Sequence, residues 1–117
     1  EVIEHCENPK KALDNLCKSV SDQGYIILST PNKLWEKIVR LASFFKLRPF
    51  QGFENFLTHK EITSVLEANK FEVINYKGIH LFPFQLGLNT LHKYLDERSE
   101  FMNKIKINYA FIAKKIK

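Results

Sequence analysis

The chain has 117 residues, of which 44% are hydrophobic and 13% aromatic, and its formal net charge is +5. This length allows one domain at most, and this composition excludes global disorder because it can fill a packed core. The modest charge is not arranged as a basic stripe interleaved with exposed aromatic residues, so nucleic acid is not an expected partner. The sequence has no run of about eighteen apolar residues, and we therefore expect no membrane-spanning segment.

The two cysteines, Cys6 and Cys17, show no C-x-x-C spacing. Neither a disulfide framework nor a zinc site is therefore predicted. Cys17 falls on the inner face of a predicted helix, where we expect a small core residue. This use of cysteine is typical of a reducing compartment, and we expect a cytoplasmic protein.

The first quarter of the chain predicts a strand end, a helix and a second strand. Residues 1–5 are typical of a buried strand that runs into a loop. Asn8 is a good N-cap and Pro9 a good first helical residue, so a helix should start there. The inner face of this helix is predicted to carry Leu13, Leu16, Cys17 and Val20. Residues 25–29 form a near-continuous apolar run, which is typical of a strand covered on both faces, and Pro31 ends it.

A second helix is predicted from Lys33 to Lys46, with Asn32 as its cap. Its apolar face is wider than a surface helix needs. The main stripe consists of Leu34, Ile38, Leu41 and Phe45, and the stripe beside it of Trp35, Val39 and Ala42. Residues 47–56 are predicted to form a loop rich in phenylalanine.

The remaining sequence predicts two more helices and two strands. Thr58 and Glu61 have the spacing of a capping box, and the helix that follows should turn Ile62, Val65 and Leu66 inward. Residues 71–76 are predicted to form a strand and residues 86–101 a helix. A period-two alternation then predicts a final strand. Its inward residues are predicted to be Ile105, Ile107, Tyr109, Phe111 and Ala113.

Several segments together resemble one known family. They are Glu1-Val2-Ile3-Glu4-His5, Asn8-Pro9, Gly24, Ile27 to Asn32, Phe56 to Ile62 and Asn69 to Val73. In this pattern the chain resembles the class I S-adenosylmethionine-dependent methyltransferases, and most closely their ubiquinone-biosynthesis O-methyltransferase branch. His59 stands where that family commonly has proline, and Asn69-Lys70 where it commonly has alanine and glycine.

The order of the predicted elements favours an α/β fold, and the resemblance makes that expectation more specific. It implies the C-terminal part of a Rossmann-like methyltransferase sheet with helices on both faces. It also implies a mixed sheet, in which the last strand is antiparallel and inserted between the previous two. Residues 1–117 would form one partial domain, in which 33–56 and 79–101 are helical lid insertions on the substrate side.

The glycine-rich turn that holds the cofactor in the resembled family has no counterpart here, because none of the four glycines lies in a G-x-G arrangement. We therefore expect the C-terminal portion of an enzyme, inactive by itself. The strand at residues 25–29 would then present an apolar edge. For this reason we also expect the chain alone to be marginally stable or to pair with a second copy.

Glu1, Glu4 and His5 follow a predicted strand end, where ligands bind in open α/β sheets. Carboxylates and imidazole suit a divalent cation that holds two substrate oxygens, and the resemblance associates this Glu-x-x-Glu-His pattern with Mg²⁺. Alternatively, His5 is a general base, or Glu4 and His5 only cap a helix or orient the loop. The resemblance also places Val2, Ile3 and Cys6 against S-adenosylmethionine, with core packing as the alternative for Val2 and Ile3.

Four residues are predicted to face the acceptor substrate: Asn32, Trp35, Phe53 and His80. Asn32 ends a strand at the same sheet edge as the residues above, although an N-cap is the more frequent role of such an asparagine. The two lid insertions would form an apolar pocket that keeps water from the transferring methyl group. The alternatives are an ordinary phenylalanine-rich core or a dimer face.

The predicted reaction is transfer of a methyl group from S-adenosylmethionine to a small-molecule acceptor. The resemblance favours an oxygen as the acceptor atom, and the wide apolar lid favours a hydrophobic acceptor. Catalysis in such a site is largely proximity and orientation. The alternative is a non-catalytic fragment or interaction module, whose apolar helix supports a homodimer or contacts a membrane surface or partner.

Overall fold

A computed structural model of the chain describes residues 2–47, 52, 54–79 and 104–116. The strands are Tyr25–Pro31 (β1), Phe71–Ile79 (β2) and Asn108–Lys115 (β3), and the α-helices are Pro9–Ser19 (α1), Glu36–Phe44 (α2) and His59–Ala68 (α3). Two short 3₁₀ turns are Ile3–His5 and Lys33–Trp35. Glu1, Phe53, His80, the predicted helix at 86–101 and most of the predicted 47–56 loop lie outside the described residues.

The three described strands form one sheet in which β3 is central. The order is β1-β3-β2, and β3 is antiparallel to both neighbours. β1 and β2 therefore run in the same direction and end at the same edge of the sheet, where β3 begins. The expected insertion of an antiparallel last strand between the previous two is confirmed.

α1 and α3 pack together over one face of this sheet and close the core. Phe111, at the centre of β3, is fully buried and pairs in register with Leu28 on one side and Tyr76 on the other. The other residues of the core cluster are Ile3, Leu13, Cys17, Ile26, Leu28, Leu57, Ile62, Leu66, Phe71, Tyr109 and Ala113. This cluster joins both helices to all three strands.

β1 is covered on one face only within the described part of the chain. Ile26 and Leu28 are 4% and 6% exposed, whereas Tyr25 and Ile27 are 58% and 78% exposed. The prediction of a strand buried on both faces does not hold for these residues, because the described helices that pack on the sheet, α1 and α3, share one face. Helices on the second face remain a prediction.

The helix signals in the sequence correspond closely to the observed ends of α1 and α3. The Asn8 side chain accepts a hydrogen bond from the Lys11 amide at 3.0 Å, and Pro9 opens α1. Thr58 and Glu61 form the complete capping box at the start of α3. Both cysteines are free thiols in this structure, and Cys17 is buried in the core, as predicted. Leu16 is wrongly predicted, since it lies at the margin of the inner stripe and is 42% exposed.

Four boundaries differ from the predictions. β2 continues to Ile79, although the predicted strand ends at residue 76. Ile3–His5 forms a 3₁₀ turn rather than the end of a strand. The predicted helix from residue 33 to 46 is divided into a 3₁₀ turn and α2, and neither part contains a buried residue. β3 begins at Asn108 rather than near Ile105, which is 45% exposed while Lys106 is fully buried. The cause of this shift is a set of hydrogen bonds from Asn32, described below.

Among the described residues, no helix combines the length and the apolar character that crossing a bilayer requires.

Candidate functional site

The carboxyl ends of β1 and β2 and the start of β3 meet the N-terminus of α3 at one edge of the sheet. A cavity of about 560 Å³ opens there, which we call the edge cavity. Its lining residues are Asn32, Lys33, Leu34, Thr58, His59, Lys60, Tyr76, Lys104 and Tyr109. Ligands of open α/β sheets bind outside the carboxyl ends of their parallel strands, so this is the expected place for a small-molecule site.

Asn32 fixes the geometry of this edge. Its Oδ1 accepts a hydrogen bond from the Leu34 amide at 2.9 Å, and its Nδ2 donates to the carbonyl oxygens of Lys104 and Lys106 at 2.9 and 2.8 Å. Its own amide donates to the Ile107 carbonyl at 2.7 Å. The residue is only 2% exposed. The predicted capping role is therefore confirmed, and the same side chain holds residues 104–107 in a turn ahead of β3.

Trp35 adds a second connection between the start of α2 and the chain before β3. Its indole Nε1 donates to the Ile105 carbonyl at 2.8 Å. Asn32 and Trp35, both predicted to face the acceptor, are thus brought together at the edge cavity's border. Their polar side-chain atoms are already bonded to backbone groups, so these two residues fix the conformation of the chain at the border of the cavity.

Three aromatic rings form one wall of the edge cavity, which we call the aromatic wall: His59, Tyr76 and Tyr109. The His59 ring centroid lies 4.5 Å from that of Tyr76 and 6.2 Å from that of Tyr109. Burial, and secondarily the charge of Lys104, lower the pKa of His59 below its usual value. Burial and the neighbouring Tyr109 raise the pKa of Tyr76 to about 12. Burial also raises the pKa of Tyr109, so all three rings are neutral at physiological pH.

A β-bulge turns Tyr76 toward this wall. The register between β2 and β3 shifts between Val73 and Asn75, so the inward positions change from odd to even numbers along β2. A regular strand would have turned Asn75 inward instead, because alternate residues face opposite sides. For this reason the aromatic wall could not be predicted from alternation along the strand. The one available signal was His59, which departs from the proline common in the resembled family.

Glu4 and His5 lie in the 3₁₀ turn that precedes α1. Glu4 is 3% exposed, and its Oε2 has no hydrogen-bond partner within the described structure. Its Oε1 lies 4.0 Å from His5 Nε2, and the Asn55 amide donates to its backbone carbonyl at 2.7 Å. The described residues contain no group of three side chains suited to hold a metal ion, and Glu1 lies outside them.

The three residues predicted to contact the cofactor differ in exposure. Val2 is 71% exposed and Ile3 is 8% exposed within the core cluster. The Cys6 thiol is half-buried and lies 3.9 Å from the Val2 carbonyl. Ile3 is therefore a core residue, while the side chains of Val2 and Cys6 remain accessible to solvent.

Comparison with known proteins identifies the family. Residues 1–76 match the sequence profile of a family described as a methyltransferase domain. This match covers more than half of the 117 residues, and the chain belongs to that family. The methyltransferase resemblance found in the sequence is thereby confirmed.

One curated relative is the ubiquinone biosynthesis O-methyltransferase, mitochondrial, of Dictyostelium discoideum. The two sequences are 29% identical over 115 residues, which cover 93% of this chain and 32% of the relative. The chain thus spans about a third of the length of that relative.

Proposed function

We propose that the protein containing this chain transfers a methyl group from S-adenosylmethionine to an oxygen of a small, hydrophobic acceptor. The observation that carries this proposal is the match of residues 1–76 to the methyltransferase domain, which contains both the Glu4–His5 turn and most of the edge cavity's lining. The similarity to an O-methyltransferase supports oxygen as the acceptor atom. We propose the cytoplasm as its compartment, since both thiols are free, whereas the relative is named as mitochondrial.

The cofactor would lie against the turn at Val2, Ile3 and Cys6. The exposed Val2 side chain and the half-buried Cys6 thiol can contact it directly, whereas Ile3, which packs in the core, can offer only its backbone. Methyl transfer needs the sulfonium and the acceptor oxygen in line, so the contribution of this turn would be orientation rather than proton chemistry.

Glu4 and His5, with Glu1, are proposed to hold Mg²⁺. The buried Glu4 Oε2 without a partner fits a cation ligand, because a buried carboxylate oxygen is costly unless it is paired or hydrogen-bonded. A bound Mg²⁺ would supply charge stabilisation for an ionised acceptor oxygen. The alternative to this metal role is that His5, whose side chain is 40% exposed, takes the acceptor's proton at a ring nitrogen, because an imidazole bound to Mg²⁺ has no free nitrogen for that proton.

The acceptor is proposed to lie at the edge cavity, bordered by Asn32 and Trp35 and closed by lid segments that carry Phe53 and His80. Asn32 and Trp35 support this arrangement by fixing the first turn of the lid to the chain before β3. Their role would be to position the lid, which keeps water away from the reacting methyl group.

Calorimetric titration of S-adenosylmethionine tests the proposal. The complete gene product should bind the donor and transfer a labelled methyl group to an extracted hydrophobic acceptor. Glu4→Gln should lower transfer in a way that added Mg²⁺ does not restore. His5→Ala should lower the rate of methyl transfer. A gene product that folds but binds no S-adenosylmethionine would sink the proposal.

A second proposal concerns α2, which we propose contacts an anionic membrane surface from which a hydrophobic acceptor could enter. The apolar stripe Leu34, Ile38 and Leu41 is between 54% and 63% exposed. Lys33 of the preceding 3₁₀ turn and Lys37 and Arg40 of α2 flank that stripe, and Arg40 also forms an ion pair with Glu36. Such a pairing of apolar and cationic side chains is typical of helices that lie on lipid surfaces.

Co-sedimentation with vesicles tests this contact. The chain should bind vesicles containing phosphatidylglycerol and not pure phosphatidylcholine, and Leu41→Ser should weaken that binding severalfold. Homodimerisation through the same face is the competing outcome. It predicts a sedimentation coefficient that rises with protein concentration and falls in Leu41→Ser, with no vesicle binding.

A further inference from the structure

His59 occupies a place in the fold that suits a neutral ring better than a charged one. It is the first residue of α3 and directly follows the N-cap, Thr58. The unpaired amides at a helix N-terminus give that end a partial positive charge, which disfavours a cation in the first turn. Protonation of His59 would therefore oppose the dipole of the helix that it begins.

The imidazole of His59 is also packed among aromatic rings. Its ring centroid lies 4.5 Å from that of Tyr76, 5.2 Å from that of Phe111 and 6.2 Å from that of Tyr109. The ring planes of the two tyrosines are inclined to it by 76° and 85°, which is the edge-to-face arrangement that neutral aromatic rings favour. Because Phe111 is fully buried, the half-buried imidazole covers an edge of the core.

The charged groups that neighbour His59 along α3 offer little support to an imidazolium. The Glu61 carboxylate is already engaged, since Oε1 lies 2.9 Å from Lys10 Nζ and Oε2 accepts a hydrogen bond from the Thr58 amide at 2.8 Å. Lys60, the next residue of the helix, is exposed and carries a positive charge. The negative charge of Glu61 is thus largely offset by Lys10.

The elements that pack against α3 act in the same direction. Burial of the imidazole, and then the positive charge of Lys104 before β3, lower the pKa of His59 below 6.5. Lys33, which follows β1, lines the same cavity. A cation above the face of Tyr76 or Tyr109 would be attracted by that ring, and this effect opposes the others. Burial, the helix terminus and Lys104 act together, so the neutral form is favoured on balance.

We propose that His59 is an acid-sensitive switch at the start of α3. In the neutral form its ring packs on Tyr76 and Phe111 and completes the aromatic wall. After protonation the imidazolium leaves these rings for water, the first turn of α3 loosens, and the edge cavity opens on the side that His59 forms. This switch is a property of the fold at this edge, whichever reaction the intact protein catalyses.

The effect on stability has a defined direction and window. Because folding favours the neutral imidazole, the contribution of His59 is fully present above pH 6.5, and it is lost as the pH falls from 6.5 through the lower pKa of the folded state. Each unit between the two pKa values corresponds to about a tenfold loss in the folding equilibrium constant. Glu61 does not interfere, since its own contribution is lost only below pH 4.5.

An NMR titration of the whole chain between about pH 8 and pH 5 tests the switch, because an imidazole changes its charge in that range. The ring signals of His59 should titrate with a midpoint below 6.5, the ordinary value. Nuclear Overhauser contacts between the rings of His59 and Tyr76 should be present at the upper pH and lost at the lower one. The loss should follow the same midpoint.

Urea denaturation at the two ends of this range gives an independent measurement. His59→Phe keeps an aromatic ring at this position and removes the titration, so the variant should lose less stability on acidification than the unchanged chain. The difference should be about tenfold in the folding equilibrium constant for each unit by which the measured pKa of His59 lies below 6.5.

Two lysine variants test the electrostatic cause. Lys104→Gln should raise the pKa of His59 toward 6.5, because it removes the nearby positive charge. Lys114→Gln removes the same charge near the other end of β3 and is the matched control. It should leave the titration of His59 unchanged.

Four results would overturn the proposal. The first is a midpoint for His59 at or above 6.5, which would mean that the aromatic faces stabilise the imidazolium. The second is persistence of the His59–Tyr76 contacts after His59 is protonated. The third is an equal loss of stability in His59→Phe and the unchanged chain, and the fourth is an equal effect of the two lysine variants. If His59→Phe does not fold, the NMR titration of the unchanged chain decides the question.

Discussion

α2 and α3 are nearly the same length, nine and ten residues, but they use their apolar side chains in opposite ways. α3 buries Ile62 and Leu66 completely against the sheet, whereas α2 buries no residue. Phe44 and Leu41 of α2 are 79% and 58% exposed. The comparison teaches that apolar content alone does not place a helix in a core. α3 stabilises the fold, while α2 presents an apolar surface that fits a role in contact or recognition.

The largest effect on stability is expected from a substitution in the core. Phe111→Ala should lower the free energy of unfolding by about 3–5 kcal/mol, because it leaves a cavity beneath α3 and the aromatic wall. Phe44→Ala removes the same side chain from α2 and should change that free energy by less than about 0.5 kcal/mol. Urea denaturation followed by circular dichroism measures both. Similar losses for the two variants would mean that Phe44 of α2 is packed as tightly as Phe111 in the core.

The next effect concerns the junction between α2 and the sheet. Asn32→Ala should cost roughly 1–3 kcal/mol, because the carbonyls of Lys104 and Lys106 and the amide of Leu34 lose their partner. Hydrogen exchange should become faster at the first amides of β3. Asn32→Asp keeps the acceptor for Leu34 but cannot donate to the two carbonyls, so it should not rescue the loss.

Asn15→Ala is the control for that substitution, since Asn15 is an exposed residue of α1 and its loss should cost little. If Asn32→Ala is as mild as Asn15→Ala, the hydrogen bonds of Asn32 do not fix the start of β3.

A smaller effect is expected at the start of α3. Thr58→Ala removes the capping box and should cost about 1 kcal/mol, whereas Thr58→Ser keeps the hydroxyl acceptor and should retain most of the stability. Thermal unfolding of the two variants gives the difference. A loss in Thr58→Ser as large as in Thr58→Ala would show that the methyl group's packing, and not the cap, is what matters at this position.

The contrast between α2 and α3 also shows how far the sequence could predict the structure. Local signals were sufficient for α3, where Thr58, Glu61 and the spacing of Ile62 and Leu66 define both its start and its buried face. They were sufficient for the inward face of β3 from Tyr109 onward. They could not reveal the bulge that turns Tyr76 inward, because a bulge depends on pairing with β3, which is distant in sequence.

The same limit explains the remaining errors. The start of β3 depends on hydrogen bonds from Asn32, more than seventy positions earlier, so the alternation around Ile105 was misleading. The apolar run in β1 did not reveal which of its faces a helix would cover. At the candidate site, the roles of Glu4, His5, Val2 and Cys6 came from the methyltransferase resemblance. These roles remain proposals, whereas the aromatic wall came from the structure alone.

The smallest expected effect is a pH dependence at the base of α3. Lys10, whose Nζ lies 2.9 Å from Glu61, and the Thr58 amide lower the pKa of Glu61 from 4.5 to about 2. Because folding favours the ionised carboxylate, its stabilising contribution is fully present above pH 4.5. That contribution is lost as the pH falls from 4.5 toward 2.

Urea midpoints measured across that window should therefore fall on acidification, and they should fall less steeply in Glu61→Gln. Lys10→Gln should remove part of the difference, because the Thr58 amide still favours the ionised form. The double variant should match Glu61→Gln in its pH dependence. Some pH dependence of the urea midpoint should persist in all three variants, since Lys18 and Asn69 lower the pKa of Asp14 as well. If Glu61→Gln keeps the full pH dependence of the urea midpoint, the acid sensitivity arises from other groups. The ion pair between α1 and α3 would then contribute little to stability.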